Sequence, residues 1–161
     1  MKAASTVYAH ECIEECRKCC GGQGFLLSSG IAKLAPDFSE WVTVEGEQVI
    51  LSLQCARFLL KAVAGAAAGA KLSETVRYIG AGDRDGRLNL ADAEGILDAL
   101  ASRSRRLAHR LAAQFDAARA SGLDFDTSLN KSAVLAVRAS TAHVQYNDFG
   151  IVFPFSRFRL R

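Results

Sequence analysis

Apolar residues recur along this chain at helical spacing, with little alternation of β-branched positions, a pattern that predicts five or so helical segments and no sheet. The first runs from about Ala4 to Cys20, where Tyr8, Cys12, Cys16 and Cys19 fall along one stripe with Ile13 and Cys20 beside it; the spacing makes that stripe a buried face, because free thiols pack as small hydrophobes. The segment ends at Gly21, Gly22 and Gly24. Ser29 caps a short piece before Pro36, and Asp37 and Glu40 then have the D-x-x-E spacing of a capping box. A long helix follows Gly46 and reaches the alanine and glycine cluster Ala62 to Ala70. It packs through Ile50, Leu53, Phe58 and Leu60, and Gln54, Arg57 and Lys61 on successive turns form a wet edge.

From Ala93 onward, Leu97, Leu100, Leu107, Leu111, Phe115 and Ala118 mark a second stripe, with Arg103, Arg105, Arg106 and Arg110 on the solvated face. Asp124 to Asn130 reads as a capped loop, and Leu129, Ala133, Ala136, Val137, Ser140 and Val144 belong to a final helix. The tail alternates Phe149, Phe153, Phe155 and Phe158 with Pro154, Arg157, Arg159 and Arg161, an apolar ending that packs back on the bundle or continues into further helix. The fold class expected is an all-α helical bundle, formed as a single domain over residues 1–161.

Composition supports this reading. Half of the 161 residues are hydrophobic, enough for one packed core, and there are only two prolines. A net charge of +3 gives no argument for a nucleic-acid partner, although local basic residues could serve a small anion. The N-terminus lacks the apolar core of a signal peptide, and the most apolar stretch, Val49 to Ala70, carries charged residues that suit a buried helix better than a membrane span. Five cysteines, an odd count without a secretory signal, suit a reducing compartment.

Two clusters resemble metal sites without completing them. His10, Cys12, Cys16, Cys19 and Cys20 include a C-x-x-C, but no second pair follows at zinc spacing. Asp83, Asp85, Gly86, Leu88 and Asn89 fit part of a calcium loop, yet Ala81 stands at its first position and Asp92 where a bidentate glutamate belongs. The expectation is no metal; instead Asn89 caps the next helix, with Asp92 and Glu94 favouring its N-terminus.

The candidate chemistry lies between Cys20 and Lys61. Gly21, Gly22 and Gly24 crowd around Gln23, which suits a helix C-cap or a close backbone approach to a ligand. Glu45, beside Gly46 and between two apolar runs, is either a solvated charge at a helix start or a desolvated carboxylate whose pKa is raised. Asp37, Glu40 and Glu47 are its rivals. The order of glycine knot, spacer, glutamate-glycine pair and an apolar run with Gln54 and Arg57 resembles the flavin-facing part of the acyl-CoA oxidases, most clearly from Glu15 to Lys61 and more weakly beyond.

That resemblance implies a fold, a cofactor and roles for particular residues. The family's CGGxGF/Y segment lies against FAD, often across a subunit boundary, and matches Cys20, Gly21, Gly22, Gln23, Gly24 and Phe25. Glu45 matches the base that removes the α-proton of a fatty acyl-CoA, and Gly46 the neighbour that leaves the thioester carbonyl free to approach the backbone. The implied partners are acyl-CoA, oxygen and a second copy in a homodimer; the implied location is the peroxisome, although Leu160-Arg161 is not a peroxisomal address. Residues 1–70 would carry the flavin-facing and catalytic segment and 71–161 would continue the bundle. Departures follow the glutamate: Glu47, Gln48, Val49 and Ile50 stand where the family has an acidic residue, asparagine, threonine and an apolar residue. Ala142 to Tyr146 is similar to a segment near the family's last helices, and His143 within it reads as a structural hydrogen-bonding residue and not a catalyst, since Glu45 already has the base role. The chain is much shorter than an acyl-CoA oxidase and looks like its C-terminal helical portion, expected to be inactive alone. The alternative is a non-catalytic helical interaction module.

Overall fold

A computed structural model of the chain describes residues 2–82 and 90–159, with side chains as far as residue 151. The elements are α1 (Lys2–Cys19), α2 (Ile31–Thr43), α3 (Gln48–Ala67), α4 (Ala93–Ala120), α5 (Phe125–Lys131) and α6 (Ala133–Arg159), with short 3₁₀ turns at Gly21–Phe25, Leu27–Ser29 and Glu74–Gly80. No strand occurs among the described residues, as the periodicity predicts. The chain divides into two compact units, Met1–Leu51 and Ser52–Arg161.

In the first unit α1 packs on α2. The seam on α1 runs through Ala3, Thr6, His10, Ile13 and Arg17, all half-buried, so the thiols fall on the other side: Cys12, Cys16, Cys19 and Cys20 are exposed. This corrects the expectation of a buried cysteine stripe; a pair of helices has one seam, and the larger polar side chains of His10 and Arg17 occupy it. Among the described residues no three His, Cys, Asp or Glu side chains are grouped to hold a metal. The calcium-like residues 83–89, Asn89 among them, lie outside the described ones.

Helix α2 corrects a second expectation, because it runs through Pro36. Proline there removes one backbone donor, but Ile31, Ala35, Phe38 and Val42, spaced four, three and four, form a continuous inner stripe that outweighs the loss. Asp37 and Glu40 are therefore exposed mid-helix residues and not a capping box. Gly30, at φ +74°, stands at the N-cap in place of Ser29, whose Oγ donates to the Leu26 carbonyl at 2.8 Å. The stretch Ile31–Ala67 has the length and hydropathy of a membrane-crossing segment, yet a turn at residues 44–47 divides it into helices of 13 and 20 residues.

In the second unit the core gathers Ala56, Leu59, Val76, Tyr78, Ile79, Ala108, Leu111, Leu129, Ala136 and Ala139. Each of the fully buried leucines, Leu59, Leu111 and Leu129, contributes about 1.5–3 kcal/mol. Helix α3 does not bury all the residues expected of it: Leu53 and Leu60 pack on the core, but Ile50 and Phe58 are exposed, and Ser52, Ala56, Leu59 and Ala62 are buried. Small residues let backbones approach, and the Ser140 Oγ of α6 donates to the Ser52 carbonyl at 2.7 Å. Likewise the Ser104 Oγ of α4 donates to the Ala142 carbonyl at 2.9 Å.

Asp92 caps α4 by accepting from the Gly95 N–H. Asp124 accepts from Thr127 N–H and Oγ1–H, so the predicted capped loop is instead the capped helix α5. Arg105 departs from its solvated neighbours: it is buried and donates to the Ala81 carbonyl. His143 is the hydrogen-bonding residue expected. Its Nδ1 lies 3.0 Å from the Tyr78 hydroxyl and 3.3 Å from the Asn147 side-chain nitrogen, which can only donate. Burial lowers the His143 pKa, which favours the neutral ring. Burial also pushes the Tyr78 hydroxyl pKa far up.

Candidate functional site

All the residues singled out for chemistry lie in the first unit, at two places. The glycine knot closes the C-terminal end of α1. Gly21 takes φ +58° immediately beyond the helix, and the N–H of Cys20 donates to the Arg17 carbonyl at 3.2 Å, so the C-cap reading holds for Gly21. Gly24 answers to the other reading: it is buried, and a Cβ placed there would lie 2.2 Å from the Arg17 carbonyl oxygen. The close approach is to the chain itself. Gly21 and Gly22 have open space where a Cβ would stand, and both are exposed with Gln23. This leaves a bare peptide surface that a flat ligand can approach, and in that respect these residues fit a flavin.

Arg17 anchors this turn. Its Nε donates to Glu14 Oε2 at 2.7 Å and its Nη2 to Glu14 Oε1, a two-point pair. The guanidinium carbon sits 4.3 Å from the centre of the Phe25 ring. The hydrogen bonds from Arg17 hold the Glu14 carboxyl below the usual carboxylate range.

Glu45 occupies the turn between α2 and α3. It is exposed, and at φ +60° it is the one non-glycine residue with positive φ among the described residues. L-residues pay about 1–2 kcal/mol for that conformation. Gly46 follows at φ +110°, where a Cβ would lie 2.8 Å from Leu51 Cδ2. The position demands glycine for its backbone and for the leucine packed on it. The Gly46 carbonyl accepts from Lys2 Nζ at 2.9 Å. The helix-start role open to Glu45 falls to Glu47, whose Oε2 accepts from the N–H of Val49 at 2.8 Å and that of Ile50 at 3.4 Å.

The two places are not adjacent. Lys2 reaches the Gly46 turn from one end of α1, and Arg17 supports the glycine turn at the other; fifteen helical residues separate them by about 22 Å. Sequence reasoning passed over Lys2 and Arg17. The only signal for Arg17 was its i,i+3 spacing from Glu14, which is common on solvated helices.

Comparison with known proteins fits the helical architecture. The family described as acyl-CoA oxidase, C-alpha1 domain, matches residues 1–60. Rat peroxisomal acyl-coenzyme A oxidase 1 is 31% identical over 159 residues, covering 91% of this chain and 24% of the relative. Acyl-CoA oxidase-1 of Caenorhabditis elegans, solved with FAD and ATP, superimposes with a TM-score of 0.87 at 29% identity, over 97% of this chain and 24% of that one. Acyl-CoA oxidase-2 of the same organism, bound with FAD, ascaroside-CoA and ATP, gives 0.84 at 30% identity, over 90% and 22%. The fold is thus the all-α fold of the C-terminal helical region of acyl-CoA oxidases. The chain belongs to the acyl-CoA oxidase family and corresponds to a C-terminal helical portion of it. It spans about a quarter of the length of these relatives.

Proposed function

We propose that this chain carries the base and part of the flavin-facing surface of a peroxisomal acyl-CoA oxidase, which desaturates fatty acyl-CoA to the trans-2-enoyl product with release of hydrogen peroxide. Residues 1–70 carry the site and 71–161 continue the bundle. The observation that bears most of this reading is Glu45: a carboxylate held exposed in left-handed backbone, at the position the family resemblance marks as the base. Backbone strain at a non-glycine residue persists where function requires it.

An α-proton of a thioester is weakly acidic, so its removal needs a nearby base and donors for the developing enolate oxygen. Glu45 is the base. Its own backbone N–H is the donor to the thioester carbonyl, and substrate desolvates a carboxylate that is exposed before binding. Gly21, Gly22 and Gln23 face the FAD, with Gly24 fixing their turn. Bound FAD supplies the hydride acceptor and, on reoxidation by oxygen, the peroxide. Because the glycine turn and Glu45 stand about 22 Å apart along α1, a homodimer in which the turn of one copy serves the cofactor of the other accommodates both roles.

The test is flavin retention and acyl-CoA-dependent peroxide release by the purified chain, alone and mixed with a family N-terminal portion. Activity on mixing alone supports a catalytic portion carrying Glu45. Silence in both, with a folded helical spectrum, favours the non-catalytic interaction module.

A further inference from the structure

We propose that Arg17 is a positioning residue for the flavin, fixing the shape of the glycine turn from below. This inference rests on the flavin-facing role proposed for Gly21 to Gln23. Three features of the turn converge on this one residue. Its carbonyl oxygen is the surface against which Gly24 closes, with no room for a Cβ, and it also accepts the N–H of Cys20. Its guanidinium lies over the Phe25 ring, at the far end of the same five-residue turn. The two-point pair with Glu14 holds the guanidinium in place beside that ring. Arg17 thus grips the turn at its beginning, its fourth residue and its end, and leaves Gly21, Gly22 and Gln23 as the uncovered edge.

A further atom of this side chain is enclosed by the arrangement. Nη1 of Arg17 is buried and has no hydrogen-bond partner among the described residues. Both N–H groups of Nη1 are thus desolvated and unpaired, an incomplete donor set held under the turn. A lysine could hold the charge but neither the planar stack nor the two-point bond.

The experiment compares wild type, Arg17→Lys, Glu14→Gln and Arg17→Lys/Phe25→Leu in the complete flavoenzyme, reading the FAD dissociation constant by flavin fluorescence, the visible flavin spectrum and the melting temperature of the flavin-free protein. Arg17→Lys is expected to weaken FAD binding about tenfold and shift the spectrum, while the flavin-free melting temperature moves little. The double variant is expected to bind no worse than Arg17→Lys, since both changes act through one stack. Glu14→Gln is expected to weaken binding about threefold, and it keeps the test decisive if Arg17→Lys does not fold. FAD affinity and spectrum unchanged in Arg17→Lys or Glu14→Gln would overturn the assignment, as would a loss matched by an equal fall in flavin-free stability. A wild type that takes up no flavin overturns the functional reading as well, so the two failures are told apart.

Discussion

The α-carbon of Gly24 stands so close to the Arg17 carbonyl oxygen that a methyl group on it would lie 2.2 Å away. The obstruction is backbone, so no rotamer change relieves it. Gly24→Ala is expected to cost the first unit about 2 kcal/mol, read as a lower denaturation midpoint, whereas Gly22→Ala, which meets open space, should cost under about 1 kcal/mol. Equal costs would show that the turn opens freely.

Glu45 holds backbone strain that the proposed base role would explain. In the complete flavoenzyme Glu45→Gln should lower kcat by about 10²–10⁴-fold with flavin retained; unchanged turnover removes Glu45 from the base role. Glu45→Gly should abolish turnover equally but raise stability by up to about 1 kcal/mol, because φ +60° suits glycine.

His143 links stability to pH. Burial lowers its folded pKa below the unfolded value near 6.5, so the contribution of the neutral ring is complete above about pH 6.5 and is lost as the pH falls through the folded pKa. Urea midpoints should fall on acidification, and His143→Gln should flatten that part of the profile. An unchanged slope in the variant would mean that other groups carry it.

Arg105 and Arg106 are neighbours in sequence with opposite surroundings. Arg105→Ala leaves the Ala81 carbonyl without its buried donor and should cost about 2 kcal/mol; Arg106→Ala, on the exposed face, should change stability by less than about 0.5 kcal/mol. Thermal unfolding of the two variants separates them.

These contrasts show where sequence was informative. Helical periodicity located every long helix, because apolar spacing and helix packing are one constraint, and Gly21, Gly24 and Gly46 were legible because each has a backbone requirement that favours glycine. The side of a helix that is buried was less legible. The cysteine stripe of α1 looks apolar, yet the seam chose His10 and Arg17; α3 offered Ile50 and Phe58, yet the seam chose Ser52 and Ala56, where close approach mattered more than hydrophobic size. Pro36 was misread because local propensity was weighed without the inner stripe that carries α2 across it. The support given to the glycine turn by Arg17 depends on a carbonyl, and carbonyls leave no trace in a sequence.

Because α1 touches the Glu45-Gly46 turn through Lys2 and the glycine turn through Arg17, its length is a phase as well as a distance. Removing one residue between His10 and Arg17 would swing the glycine turn about 100° around the helix axis while shortening the span by only about 1.5 Å. Removing four would restore the direction to within about 40° and shorten the span by one turn. Insertions and deletions tolerated in this stretch should therefore come in whole turns, whereas the 3₁₀ segment Leu27–Ser29 can vary in length without changing which way the glycines face.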